Sequence, residues 1–209
     1  MPARKRARTT PREPRGEPKD RLIDAALTLA AERGWRGLGM GEIAAEAGVP
    51  LKDTYRLARS KTALLAAFRR RIDEAMLEGG VVSGDSTHDR LFDALMRRFE
   101  ALKPYRPGLR AILRDSIGDP ATFCLAPGML RSMGWTLTAA GLSLPGVRGA
   151  CARRLVAGLY LSMMPTFFRD EGEDLGTTMA ALDRRLRQAE SLLGFLAPGN
   201  AAGRHKAAA

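Results

Sequence analysis

A tight glycine turn between two short helices constrains the fold of this chain more than any other feature. Residues 40–47 predict the first short helix, because their apolar side chains recur at helical spacing. Gly48 follows where the chain must turn, since glycine enters left-handed conformations without a Cβ clash. Val49 then fills the corner, and residues 50–57 predict a second helix that begins at a proline. The segment therefore predicts a helix-turn-helix unit.

In a helix-turn-helix the second helix is the one presented to the major groove of DNA. Lys52 and Arg56 lie four residues apart, so they share one face of that helix and can donate hydrogen bonds to guanine. Lys61 is placed near the start of the next helix, where exposed N–H groups favour an anion. The competing interpretation is a solvated basic face with Tyr55 in the core. The candidate DNA contacts are Lys52, Thr54, Tyr55, Arg56, Arg59 and Lys61.

The segment resembles the N-terminal domain of TetR-family transcriptional regulators over about 50 residues, 20–68. The residues in register with that family's pattern are Ile43-Ala44, Ala47-Gly48-Val49, Tyr55, Lys61 and Leu64. The resemblance implies that Tyr55 and Lys61 contact phosphates, and that the last two helices pack against a twin. A twofold dimer would place two recognition helices about 34 Å apart on a palindromic operator. The chain departs from the pattern at Gly39, at Lys52-Asp53 and at Leu57-Ala58.

The positive charge lies mostly outside this motif. The formal net charge is +11, and residues 1–21 alone carry eight Lys and Arg against three acids. Residues 1–18 have almost no apolar side chains, so we expect a disordered basic tail. Such a tail suits an arm that follows DNA phosphates; a solubilising tail or a weak contact with anionic lipid is the other interpretation. Residues 198–209, rich in Ala and Gly, are expected to form a flexible tail.

The apolar periodicity predicts an all-α chain of about nine helices. A helix-turn-helix head at residues 19–80 is expected to carry a helical ligand-binding and dimerisation body at 86–197. Pro165 should kink the helix that contains it. The predicted helices span residues 19–33, 40–47, 50–57, 61–78, 87–102, 107–117, 120–140, 145–170 and 174–196.

The body is rich in methionine and aromatic side chains, which suit an adaptable pocket for a small apolar or amphipathic ligand. The same stripes at helical spacing are equally typical of a packed core. The candidate pocket residues are Phe123, Met129, Met133, Trp135, Tyr160, Met163, Met164 and Phe167. The candidate dimer-interface residues in the last helix are Leu182, Leu186, Leu193 and Phe195.

The second half also resembles, more loosely, a ubiquinone-biosynthesis accessory family that keeps the TetR fold. Trp135, the acidic turn at residues 170–174 and Leu182 fall where that family's pattern has comparable residues. This resemblance implies an isoprenoid lipid as ligand and no role in transcription.

Enzymatic, metal and membrane functions find little support in the sequence. Cys124 and Cys151 give no disulfide framework, which favours a reducing cytoplasm. His88 and His205, with two distant cysteines, make no zinc set, and no nucleophile or phosphate-loop motif is present. No signal peptide and no apolar run long enough to span a membrane is visible. We therefore expect no enzyme, no cofactor and no metal.

These observations predict a cytoplasmic, homodimeric repressor whose head binds double-stranded DNA. Its ligand would shift the spacing of the two heads and release the operator. The alternative is a lipid-binding accessory protein of ubiquinone biosynthesis that does not bind an operator.

Overall fold

The computed structural model describes residues 16–116 and 125–196, with side chains through residue 189. Every regular element in these ranges is helical, so the all-α prediction is confirmed. The helices are α1 (Pro18–Arg33), α2 (Met40–Glu46), α3 (Leu51–Leu57), α4 (Lys61–Leu77), α5 (Thr87–Leu102), α6 (Arg106–Ser116), α7 (Ala126–Ala139), α8 (Gly146–Arg169) and α9 (Gly176–Leu196). A 3-10 turn, Lys103–Tyr105, joins α5 to α6.

The predicted boundaries agree with these helices to within two residues, except at the start of α7. The predicted helix at 120–140 begins at Ala126, and residues 120–124 lie outside the described ranges. Pro165 lies inside α8, which continues to Arg169, and the kink expected there stays a prediction. The two predicted tails, residues 1–18 and 198–209, fall almost entirely outside the described part of the chain.

The turn between α2 and α3 forms as the sequence predicts. Gly48 has a φ of 61°, in the left-handed region that favours glycine. The backbone N–H of Val49 donates to the carbonyl of Ala44 at 2.9 Å, and the Val49 side chain is buried. The apolar corner therefore fixes how α3 leaves α2.

Helix α6 connects the predicted body to the predicted head. Its packing against α1 is the most extensive contact between any two of the described helices. Gly108 makes this approach possible: a Cβ built there would lie 2.3 Å from the carbonyl oxygen of Leu27. At the far end of α6, the Asp115 carboxylate accepts a hydrogen bond of 2.7 Å from the backbone N–H of Trp35. The division into a head and a body at residues 80–86 stays a prediction. The packing of α6 on α1 connects the two regions closely.

Helices α5, α7, α8 and α9 form the body around a buried apolar core. The ring of Phe99 on α5 stacks on Tyr160 at 5.4 Å and contacts Phe167 at 5.3 Å, measured between ring centroids. None of the described helices is long and apolar enough to cross a membrane.

The turn from α8 to α9 is organised by the buried Asp170 carboxylate. It accepts hydrogen bonds from the backbone N–H of Thr178 at 2.6 Å, from the Thr178 hydroxyl at 2.7 Å and from the N–H of Gly172 at 3.2 Å. Burial by itself would raise the pKa of this carboxyl, but the hydrogen bonds from Thr178 outweigh it and hold the pKa below the usual range.

Replacing Asp170 by alanine should lower the free energy of unfolding at pH 7 by about 2 kcal/mol, the scale of a hydrogen-bonded charged group. Because the folded-state pKa is depressed, this stabilisation is present above the unfolded-state pKa and is lost as the pH falls through the folded-state value. Urea unfolding at neutral and acidic pH measures the difference. Asp174→Ala, at an exposed carboxylate in the same turn, is the control and should change little. Equal losses for both variants at pH 7 would contradict the prediction.

Candidate DNA-binding site

Helix α3 packs one side into the head and exposes the rest. Thr54 is only 2% exposed, and its hydroxyl donates to the carbonyl of Pro50 at 3.1 Å. Thr54 is therefore a core residue, which corrects its assignment as a DNA contact. Lys52 and Arg56 are both exposed one turn apart, as their spacing predicts.

The negative charge on α3 has a partner within the helix. The carboxylate of Asp53 lies 3.8 Å from the guanidinium of Arg56. Both side chains are largely exposed, so the pair contributes little to stability. It does partly neutralise Asp53 on a surface where a phosphate backbone is expected.

Tyr55 lies on the surface and is 63% exposed. The guanidinium of Arg59 lies 5.3 Å from the centre of its ring, within the range of a cation–π contact. The interpretation that places Tyr55 in the core is therefore wrong. Tyr55 instead belongs to the exposed surface of α3, and Arg59, two residues past the end of the helix, continues that surface.

The Lys61 side chain contacts the loop that follows α1. Its ammonium donates to the carbonyl of Trp35 at 2.8 Å and to that of Arg36 at 3.3 Å, and it lies 4.8 Å from the centre of the Trp35 ring. It thus fastens the start of α4 to the loop after α1. Ser60, which the sequence analysis did not single out, caps α4 by accepting a hydrogen bond from the N–H of Ala63 at 3.1 Å.

The loop at residues 34–36 is held from both sides. Lys61 contacts its carbonyls, while Asp115 of α6 accepts from the N–H of Trp35 and, at 3.4 Å, from that of Arg36. The hydrogen bond from Trp35 is the main cause that holds the pKa of the Asp115 carboxyl below its ordinary value. Asp115 of α6 and Lys61 at the start of α4 therefore contact the same loop.

Gly39 occupies the N-cap position of α2. Its backbone N–H donates to the carboxylate of Glu42 at 2.9 Å, which is half of a capping box. The other half is missing because glycine has no side chain to accept a hydrogen bond.

The predicted pocket residues of the body are mostly packed against one another. Met133, Tyr160, Met163, Met164 and Phe167 are buried in the core. Met129 is half-buried, Trp135 is 49% exposed, and Phe123 lies outside the described residues. The structure therefore supports the core interpretation for the buried five and places Trp135 on the surface.

The body instead presents a groove of about 660 Å³ bounded by α5, α8 and α9. None of the predicted pocket residues that the structure describes lines it. Its walls combine apolar side chains with two arginines and one cysteine: Leu91, Cys151, Arg154, Leu155, Val156, Gly158, Leu159, Ser162, Arg185, Gln188 and Ala189.

Two of the four predicted dimer-interface residues of α9 are buried inside the protein. Leu182 and Leu186 are fully buried within the chain's own core, which corrects their assignment to an interface. Leu193 and Phe195 lie in α9 beyond the described side chains. Exposed apolar side chains lie instead on α8, at Leu161 with 50% exposed, and on α9, at Met179 with 41% exposed.

A buried polar cluster between α4, α5 and α7 was missed by the sequence analysis. Arg98 on α5 is only 2% exposed and donates to Asp73 on α4 at 2.5 Å, while the hydroxyl of Ser132 on α7 donates to the same carboxylate. The guanidinium also lies 5.1 Å from the centre of the Tyr160 ring, and burial raises the pKa of that phenol. No signal in the sequence marks Arg98, since a charged residue in an amphipathic helix is typical of a solvated face.

Comparisons with known proteins agree with this geometry. The model of bacterial regulatory proteins of the tetR family matches residues 22–68, the range that contains α2 and α3. No curated protein matches the chain.

Solved structures share the fold over most of the chain. A TetR transcriptional regulator from Nitrosomonas europaea ATCC 19718 is 24% identical, with a TM-score of 0.67, covering 83% of this chain and 98% of that one. A TetR transcriptional regulator from Rhodococcus sp. RHA1 is 24% identical, with a TM-score of 0.61 and coverages of 84% and 94%. A tetR-family transcriptional regulator from Streptomyces coelicolor is 19% identical, with a TM-score of 0.54 and coverages of 84% and 82%.

The matched segment coincides with the helix-turn-helix, and the structural similarity extends through the body. The chain therefore carries the N-terminal domain of the tetR family of bacterial regulatory proteins and has the fold of TetR-family transcriptional regulators.

Proposed function

We propose that this protein is a cytoplasmic, homodimeric repressor that binds a palindromic operator and releases it when a small ligand binds the body. The observation that carries the proposal is the exposed face of α3, where Lys52 and Arg56 lie one turn apart. Because Thr54 and Val49 are buried, the opposite side of α3 is turned outward. The helix-turn-helix that contains α3 lies in the segment matched by the tetR family model. The comparisons give no support to the alternative, a lipid-binding accessory protein of ubiquinone biosynthesis.

Operator binding is supported by the residues around α3. Lys52 and Arg56 suit donation to guanine, and Tyr55 with Arg59 suits contact with phosphate. Lys61 would contribute indirectly, by holding the loop at residues 34–36 against the start of α4.

A dimer formed through α8 and α9 would place the two heads on successive turns of the duplex, about 34 Å apart. The exposed Leu161 and Met179 support this surface, together with the apolar groove beside α9. The oligomeric state is measured by light scattering, with Leu161→Arg expected to favour the monomer.

A route from the body to the head supports ligand release. At one end of α6, Arg106 donates to the carbonyl of Asp170 in the turn between α8 and α9. At the other end, Asp115 accepts from the loop at residues 34–36. A ligand that moves α6 would therefore act on both contacts, and a coupling of about 1–3 kcal/mol would change operator affinity about 5- to 150-fold.

A ligand with both apolar and polar parts fits the composition of the body. Its core is mainly apolar but holds buried polar side chains, among them Arg98, Ser132, Thr136 and Asp170, which offer charged and hydroxyl groups inside an apolar surround. The ligand is therefore expected to be small and amphipathic.

Binding to the protein's own upstream DNA, compared with a scrambled duplex at near-physiological salt, tests the function. We expect Lys52→Ala to weaken specific binding at least tenfold, the value of one good base contact. Tyr55→Ala should weaken binding to both duplexes, since a phosphate contact carries no sequence information. Arg110→Ala, an equal change of charge on the exposed side of α6, is the control and should retain binding. Equal, weak and salt-sensitive binding to both duplexes by the unaltered protein would refute operator recognition.

A further inference from the structure

Exposed apolar side chains are concentrated on α3. Eight large apolar side chains are exposed among the described residues, and Leu51, Tyr55 and Leu57 all belong to this seven-residue helix. Single exposed apolar residues are normal on a protein surface, but Leu51 and Tyr55 lie one turn apart on the same side of α3 and form an apolar pair. The proposed contacts of Lys52, Arg56 and Tyr55 with DNA leave Leu51 unexplained.

Leu51 lies where a recognition helix first meets the bases. It is the first residue of α3, directly after the N-cap Pro50, and it is 65% exposed. The N-terminal residues of a recognition helix are the ones that contact base edges in the major groove. Leu51 is therefore placed at the bases, whereas Arg59 follows the end of the helix.

The surroundings of Leu51 favour nucleic acid over an apolar partner. Tyr55 lies one turn further along the same side of α3, and Lys52 and Arg56 occupy the adjoining side. Cationic side chains beside the apolar pair of Leu51 and Tyr55 complement the major groove. Phosphates line the edges of that groove, and base edges form its floor. A wholly apolar partner would offer no counter-charge to Lys52, whereas DNA phosphates would.

The major groove offers one apolar group, the C5-methyl of thymine. We infer that Leu51 contacts a thymine methyl in each half-site, so that the protein selects thymine at that position. The inference rests on the proposed operator binding and extends it to one step of base recognition. The contact adds discrimination that hydrogen bonds from Lys52 cannot supply, because the methyl group neither donates nor accepts.

The test begins with a duplex selected from a randomised pool by the full-length protein. Each thymine of the selected half-site is then replaced by deoxyuridine, which lacks only the methyl group. One thymine position should be sensitive to this change. Replacement in a single half-site should raise the dissociation constant about fourfold, the effect of exposing one buried methyl group. Replacement at the same position in both half-sites should raise it about fifteenfold.

Two variants identify the residue that reads the methyl. Leu51→Ala should bind the thymine and deoxyuridine duplexes equally at that position, and it should fold normally because the side chain is largely exposed. Leu57→Ala removes the same side chain from the other side of α3 and should keep the discrimination.

Three results would overturn the inference. They are a selected half-site without thymine, no position sensitive to deoxyuridine, and full discrimination retained by Leu51→Ala. Failure to select any specific duplex would overturn operator binding itself, and the inference with it. Specific binding with no deoxyuridine effect would remove the inference alone.

Discussion

Replacing Arg98 by methionine should lower the free energy of unfolding by about 3–5 kcal/mol, because it leaves the buried Asp73 carboxylate without its cation. Methionine fills much of the volume of arginine. The loss of stability therefore comes mainly from the unpaired Asp73 charge and less from a cavity. The pair is enclosed: Arg98 and Asp73 are 2% and 7% exposed, and Ser132 donates to the same carboxylate. Urea denaturation followed by circular dichroism measures the change in midpoint.

A double variant separates the ion pair from the packing. Arg98→Met combined with Asp73→Asn removes both charges, and we expect it to be more stable than Arg98→Met alone, since no uncompensated charge remains. Arg56→Met breaks the exposed pair with Asp53 and should change stability by less than about 1 kcal/mol. If Arg98→Met cost no more than this surface control, the buried pair would not contribute to stability.

Replacing Gly108 by alanine should destabilise the protein by about 3 kcal/mol, because the new methyl group has no room between α6 and α1. Its Cβ would lie 2.3 Å from the carbonyl oxygen of Leu27, and that neighbour is backbone, which cannot rotate away. The two helices must therefore separate. Since α6 also holds the loop at residues 34–36 through Asp115, specific DNA binding should weaken in the same variant.

Gly41→Ala is the matched control for this substitution. Gly41 is a helical glycine in α2, and a Cβ there meets no atom within 4 Å. Alanine is the better helix former, so the control should be neutral or slightly stabilising. The prediction is measured by urea denaturation of both variants, and equal midpoints would show that α1 and α6 can separate without cost.

The helices themselves were predictable from the sequence, because apolar periodicity, glycine and proline act locally. The start of α5 at Thr87, the left-handed Gly48 and the corner residue Val49 all agree with their predictions. So does the outward direction of Lys52 and Arg56, since their four-residue spacing fixes a shared face.

The contacts of single side chains were less predictable, because they depend on residues distant in sequence. A leucine that packs in the core of its own chain and one that packs in a dimer interface show the same helical spacing in α9. The spacing therefore could not show that Leu182 and Leu186 belong to the core. Trp135 has the size and hydrophobicity of a core residue, yet it lies half exposed on α7. Lys61 carries a charge that suits a phosphate, but carbonyls of the loop after α1 accept its hydrogen bonds.

The sequence alone determined an all-helical chain with a helix-turn-helix near its start, because turns and helical faces are set by neighbours within four residues. Only the tertiary structure decided which charges are buried. Arg98 meets Asp73 across 25 residues, and Ser132 reaches that carboxylate across 59. Such a cluster exists only when three helices bring the groups together, since the cost of burying each charge is offset only by the others.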